Sequence, residues 1–224
     1  MLIIFDLDDT LVDTSGFVTP KKLKDALIRM QDAGCPIKDF NVALQALLEL
    51  NQKAKSSKAA LQKFIEIEGI SENFFLIGLQ EVYESSLGDL AIPALQGATE
   101  VLSFLKKENT LALVTIGKID RQLEKLKKAG IDSSIFYKIL CLEDGSKGSS
   151  YMELIQDLCI PASNVLVCGD RVEVDLSPAK QMGCTTVHMK RGRGALEQQS
   201  HGEIVDFTIT HLSQVVDIFL KLSR

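Results

Sequence analysis

Apolar residues fall into two textures along the chain. Residues 2–6, 111–115, 138–142, 165–169, 184–189 and 206–210 are short runs rich in Ile, Val, Leu, Phe and Thr. Such runs, bounded by polar segments, read as strands buried on both faces. From about residue 97 onward a helical repeat fills the gaps. Residues 98–107 carry Val101, Leu102 and Leu105 on one side, and residues 119–129 carry Ile119, Leu123 and Leu126 and stop at Gly130, a natural residue just past a helix end. Residues 149–158, 175–182 and 211–220 continue the alternation. Strand and helix in turn predict an α/β fold with a parallel sheet covered by helices.

Residues 13–92 lack the strand texture. Thr19-Pro20 predicts an N-cap followed by Pro at the first helical position, with Leu23, Leu27 and Met30 on the apolar stripe. Asp39 can cap a second helix bearing Phe40, Leu44, Leu47 and Leu48. Ser57 can cap a third, with Leu61, Phe64 and Ile65, ending at Gly69; Ser71 can open a fourth, with Phe75, Leu79, Val82 and Leu87, ending at Gly88. The expected organisation is a core of residues 1–12 and 93–224 carrying an all-helical insert at 13–92. A length of 224 residues suits it, being more than the ~150 of an average domain.

Composition removes several classes. Apolar residues are 46% and charged residues 25%, the mix of a globular protein, and the net charge of −5 argues against a dedicated nucleic-acid binder. The five cysteines (Cys35, Cys141, Cys159, Cys168, Cys184) have no C-x-x-C spacing, so a zinc site or disulfide framework is not expected. With no basic, apolar leader and no apolar stretch of the ~20 residues that span a bilayer, a soluble cytoplasmic protein with no membrane partner is expected. His188, His201 and His211 lack metal-ligand spacing and read as structural. Lys190-Arg191-Gly192-Arg193-Gly194 reads as a solvated loop, and neither a P-loop nor a dinucleotide fingerprint is present.

The chemistry gathers at strand ends. Residues two apart in an extended chain point the same way, so Asp6 and Asp8 should project together past the strand 2–6, at the edge where open α/β sheets bind ligands. A second acidic cluster, Gly169-Asp170-Arg171-Val172-Glu173-Val174-Asp175, follows the strand 165–169 in the same manner. Oxygen ligands from two strand ends suit a hard cation such as Mg²⁺. Thr115, ending the strand 111–115, and Lys147, in the loop after 138–142, sit at successive strand ends and complete a phosphate site.

Asp6-Leu7-Asp8-Asp9-Thr10-Leu11 resembles the D-x-D-x-T motif of the haloacid dehalogenase-like (HAD) hydrolases. Thr115, Lys147 and Gly169-Asp170…Asp175 follow in the order of that family's other motifs. The resemblance covers residues 1–12 and about 93–224, and the insert is similar to the helical (C1-type) cap of one subclass. It departs at Ile116, where Asn is frequent, at Gly148, where Pro is frequent, and at the additional acid Glu173. The resemblance implies a Rossmann-like core and a Mg²⁺-dependent phosphatase acting on a small phosphorylated metabolite. Asp6 would be the nucleophile that forms an aspartyl-phosphate, and Asp8 the general acid and base. Thr115 and Lys147 would bind phosphate. Mg²⁺ would lie on the Asp6 carboxylate, the Asp8 carbonyl and the Asp170 carboxylate, supported by Asp175 or Glu173. A phosphomutase of the β-phosphoglucomutase kind and a catalytically idle binding module stay open beside the phosphatase.

Overall fold

The computed structural model describes residues 1–143, 145–196 and 203–223; His201 lies outside the described residues. The chain divides into two compact units, Met1–Thr14 with Ala91–Arg224, and Ser15–Leu90.

In the first unit the described strands form one sheet: β1 (Leu2–Phe5), β2 (Thr110–Ile116), β3 (Lys138–Leu142), β4 (Val165–Gly169), β5 (Thr185–Met189) and β6 (Phe207–Ile209), in the order β3-β2-β1-β4-β5-β6 with every pairing parallel. The solitary first strand thus becomes the centre of the sheet. Leu2, Ile3, Ile4 and Phe5 are all fully buried, so both faces of β1 are covered, as the unbroken apolar run requires. On one face Leu2, Ile4, Ala112, Val114, Val165 and Val167 pack with Tyr151, Leu154 and Ala179 in a single apolar cluster.

The second unit holds α1 (Thr19–Asp32), α2 (Phe40–Lys53), α3 (Ser57–Glu68) and α4 (Glu72–Tyr83). Its core joins Leu23, Leu27 and Met30 to Leu47, Leu61, Phe64 and Phe75. Gly78 brings α4 close, since a Cβ there would lie 2.8 Å from Leu61 Cδ2 and 2.9 Å from Met30 Sδ.

Several helix ends differ from the expectation by a physical margin of one residue or one turn. Asp39 caps α2 as expected, accepting from Asn41 N and Val42 N. Ser56, not Ser57, caps α3, because Ser56 is the extended residue whose hydroxyl reaches Ala59 N. Thr19 lies inside α1, which continues from a π-helical turn at Thr14–Val18 and has no side-chain cap. α4 stops at Tyr83 rather than near Gly88. There the Ser85 hydroxyl donates to Glu81 O at 2.6 Å, and buried Lys22 holds Ser86 O at 2.7 Å and Glu81 Oε1 at 3.0 Å, drawing the chain out of the helix.

The remaining helices of the first unit are α5 (Ala98–Leu105), α6 (Ile119–Lys128), α7 (Gly148–Asp157), α8 (Ser177–Gln181) and α9 (Ser213–Leu222). The expected apolar face of α6 is wrong. Ile119 is 44% and Leu123 37% exposed, while Gln122 at 1% and Lys125 at 7% are buried beside Leu126.

At the sheet edge, Asp206 joins β6 to β5. Its carboxylate accepts from Thr186 N at 2.9 Å and pairs with Lys180 Nζ at 2.5 Å, and its own N–H donates to Thr186 Oγ1 at 3.0 Å. Burial opposes ionisation of Asp206, but the hydrogen bonds from Lys180 and Thr186 outweigh it and hold the carboxyl below its ordinary pKa. A folded value below the unfolded one stabilises the fold above the unfolded pKa and ceases to do so as pH falls through the folded value. Asp206→Asn should therefore lower Tm at neutral pH, with the deficit against wild type closing as melts are taken below about pH 4.

Candidate active site

Each parallel strand delivers its next residues to the C-terminal edge, and the site assembles there. β1 runs into Asp6, whose N–H donates to Cys168 O of β4 at 2.9 Å. The chain then turns tightly, with Leu11 N and Val12 N both bonded to Leu7 O and Asp9 in a left-handed conformation, φ 58°. β4 ends at Gly169, followed by Asp170 and a π-helical turn at Val172–Leu176 that carries Asp175 back over the strand end. A Cβ on Gly169 would lie 2.5 Å from Asp175 Cβ, so only glycine admits that return.

Asp6, Asp170 and Asp175 are all buried, and one oxygen of each lies within 4.8 Å of the others. Glu173 is exposed and stands outside this group, since the turn directs Asp175 inward. Lys147, buried just ahead of α7, places Nζ 2.6 Å from both Asp6 Oδ1 and Asp175 Oδ1. The second oxygen of Asp175 accepts from Arg171 N at 2.9 Å, and Tyr151 Oη donates to Asp175 O at 3.1 Å. His188, expected to be structural, lies with Nε2 2.9 Å from Asp170 O.

Charge is unbalanced here. Burial pushes Asp6 up to about 7, with Asp175 and Asp8 adding to the rise and Lys147 opposing it. Burial likewise lifts Asp170 well above the carboxylate range, reinforced by Asp175 and Asp6. Lys147 lies against two of the three buried carboxylates, and the Arg171 charge acts to lower the pKa of the third, Asp170. A divalent cation would supply the missing charge, and an all-oxygen donor set suits Mg²⁺. The residues present therefore fit such an ion.

Asp8 occupies a separate pocket of donors. Lys125 Nζ sits 2.6 Å from Oδ1 and 2.9 Å from Oδ2, Gln122 Nε2 is 3.1 Å from Oδ2, and the Thr14 hydroxyl donates to Oδ1. Burial would raise the Asp8 pKa, but the Lys125 charge and these hydrogen bonds prevail and lower it. Gln122 Nε2 also lies 2.7 Å from Thr115 Oγ1 and 3.0 Å from Ile116 O. The sequence reading missed Gln122, Lys125 and Thr14. Its one available signal was a lysine and an amide three apart, on one face of the helix that follows Thr115.

The loop at 190–194, expected to be solvated, packs against the site instead. Arg191 Nη2 pairs with Asp13 Oδ2. A Cβ on Gly192 would lie 2.3 Å from Asp9 Oδ2, and one on Gly194 would lie 1.7 Å from Asp170 O.

Comparison with known proteins accords with this geometry. The family described as haloacid dehalogenase-like hydrolase matches residues 1–183. The chain belongs to that family. Two relatives of this HAD-like hydrolase are named glyceraldehyde 3-phosphate phosphatase. The one from Methanocaldococcus jannaschii is 29% identical over 99% of this chain and 98% of its own length. The one from Pyrococcus furiosus is 28% identical over 97% and 92%. Among solved structures, a predicted phosphoglycolate phosphatase from Haemophilus somnus shares the fold with TM-score 0.75 at 20% identity, covering 97% of each chain. The HAD-hydrolase YfnB from Bacillus subtilis, solved bound to magnesium, does so with TM-score 0.69 at 19% identity and the same coverage. No helix among the described residues is long and apolar enough to cross a membrane.

Because the Asp170 carbonyl is backbone and cannot swing aside, Gly194→Ala should destabilise the HAD-like core by about 1–3 kcal/mol or more, read as a fall in Tm and denaturation midpoint.

Proposed function

We propose that this HAD-like hydrolase is a Mg²⁺-dependent phosphatase of small phosphorylated metabolites, with glyceraldehyde 3-phosphate the first substrate to test. The observation that carries it is the buried group Asp6, Asp170 and Asp175, with Lys147 on the first and the last and Asp8 two residues beyond Asp6. The names of the two relatives, which align over nearly the whole chain, supply the substrate. The site is proposed to act in the cytoplasm, in keeping with five unbridged cysteines.

In this reading an Asp6 carboxylate oxygen attacks phosphorus, the bond from phosphorus to the alcohol oxygen breaks, and Asp8 delivers a proton to that oxygen. A carboxylate nucleophile divides one hard displacement into two easier ones. Water then attacks the phosphorus of the aspartyl-phosphate, giving its proton to Asp8 and releasing inorganic phosphate and the Asp6 carboxylate. Thr115 accepts from Gln122, which leaves its own hydroxyl proton for a phosphoryl oxygen, and Lys147 contributes a fixed positive charge. Asp6, Asp170 and the Asp8 carbonyl would hold Mg²⁺, with Asp175 in support; Glu173 is not favoured because it is exposed. When bound, the ion offsets repulsion between the Asp6 carboxylate and the anionic phosphoryl group. The helical unit at Ser15–Leu90, inserted in the chain just after the Asp6–Asp8 loop, is proposed as the cap that selects the leaving group.

Purified protein should hydrolyse p-nitrophenyl phosphate and glyceraldehyde 3-phosphate with Mg²⁺. It should lose activity in EDTA and regain it when Mg²⁺ is restored. Asp6→Asn should reduce turnover to background, and acid-quenched wild type should carry a phosphoryl group on Asp6 by mass spectrometry. Activity that survives Asp6→Asn, or a label elsewhere, would overturn the reading.

A further inference from the structure

α6 is built against its own apolar pattern. Ile119 and Leu123 face solvent, while Gln122 and Lys125 are buried. A buried amide and a buried ammonium are tolerated only when their polar atoms are satisfied, and the partners these two have are groups of the site. Lys125 spans both Asp8 oxygens at 2.6 and 2.9 Å. Gln122 reaches Asp8 Oδ2 at 3.1 Å and Thr115 Oγ1 at 2.7 Å. The Thr14 hydroxyl also donates to Oδ1. The Asp8 side chain is still 29% exposed, so without these donors water could solvate it in several rotamers. With them both oxygens are held and the plane of the carboxylate is set.

We infer that Gln122 and Lys125 are positioning residues that fix the Asp8 carboxylate for proton transfer and tie it, through Gln122, to the Thr115 hydroxyl. This rests on the proposed role of Asp8 as acid and base, and it adds residues which neither the motifs nor the relatives' names point to. Proton transfer demands a heavy-atom approach within hydrogen-bond reach, and a misplacement of about 1 Å can cost 10²-fold. One short helix thus orients the acid–base group and the phosphate-binding hydroxyl together.

The test separates leaving groups. p-Nitrophenolate departs without a proton, whereas the alkoxide of an aliphatic phosphate needs one. kcat/KM reports the phosphorylation half-reaction for both substrates. Lys125→Met should lower kcat/KM for glyceraldehyde 3-phosphate by about 10-fold or more and that for p-nitrophenyl phosphate by less than about 3-fold, a fraction of the 10²–10⁴ that acid–base catalysis supplies. The loss should fall on kcat rather than KM, and Lys125→Arg should restore part of it. Gln122→Met should show the same bias, and it carries the test alone if Lys125→Met does not fold. Asp8→Asn, run beside them, separates the two claims. If Asp8→Asn strikes both substrates equally, the acid–base reading itself fails. If Asp8→Asn shows the bias while the α6 variants lower both substrates alike or neither, the positioning role is overturned and the reading of Asp8 stands.

Discussion

At the C-terminal edge of the sheet three buried carboxylates stand together, two of them on one ammonium. Lys147 bonds Asp6 and Asp175 at the same 2.6 Å, and Asp170 completes the group. Packing like charges in a space closed to water costs several kcal/mol per ion unless opposite charge compensates, and Lys147 meets that need at Asp6 and Asp175. Much of the local architecture serves this arrangement. β1 and β4 are neighbours so that Asp6 and Asp170 converge, Gly169 lacks a side chain so that Asp175 can return, and Tyr151 anchors Asp175 from α7. The turn after Gly169 and the pairing of β1 with β4 thus hold the three carboxylates in one fixed arrangement.

α6 shows what the site costs elsewhere. Leaving Ile119 and Leu123 at 44% and 37% exposure forgoes part of the ~1.5–3 kcal/mol that full burial of each such side chain gives. Burying Lys125 and Gln122 in their place adds desolvation. The return is a carboxylate, Asp8, bound on both oxygens. Stability given up at one helix is here exchanged for fixed geometry at a carboxylate.

The inserted unit follows ordinary rules by comparison. Its helices bury Leu, Phe and Met residues at helical spacing around a single core, and its buried charge is satisfied locally by Glu81, Ser85 and Ser86 around Lys22. The network accounts for where α4 ends, a boundary that composition near Gly88 obscured. Serine at 85 and lysine at 22 lie 63 residues apart, and a local pattern carries no record of such a partner.

The sequence by itself determined the strands, the parallel α/β class, the helical insert, and the arrival of Asp6, Asp8, Thr115, Lys147 and Asp170 at one edge. Those follow from short-range physics: an apolar run buried on both faces needs a parallel sheet, and parallel strands deliver their ends together. Tertiary structure alone buried Asp175 beside Asp6 and Asp170 and left Glu173 exposed, because the turn after Gly169 directs one inward and the other to solvent. It alone turned the polar face of α6 inward, because the burial of Lys125 is worthwhile only beside a carboxylate 117 residues away. It also set the loop at 190–194 against Asp9 and Asp170 rather than in water, since the two glycines there permit an approach that no side chain would. Where a residue's environment is made by its own neighbours in the chain, the sequence reads true; where it is made by a distant charge, only the folded chain can say.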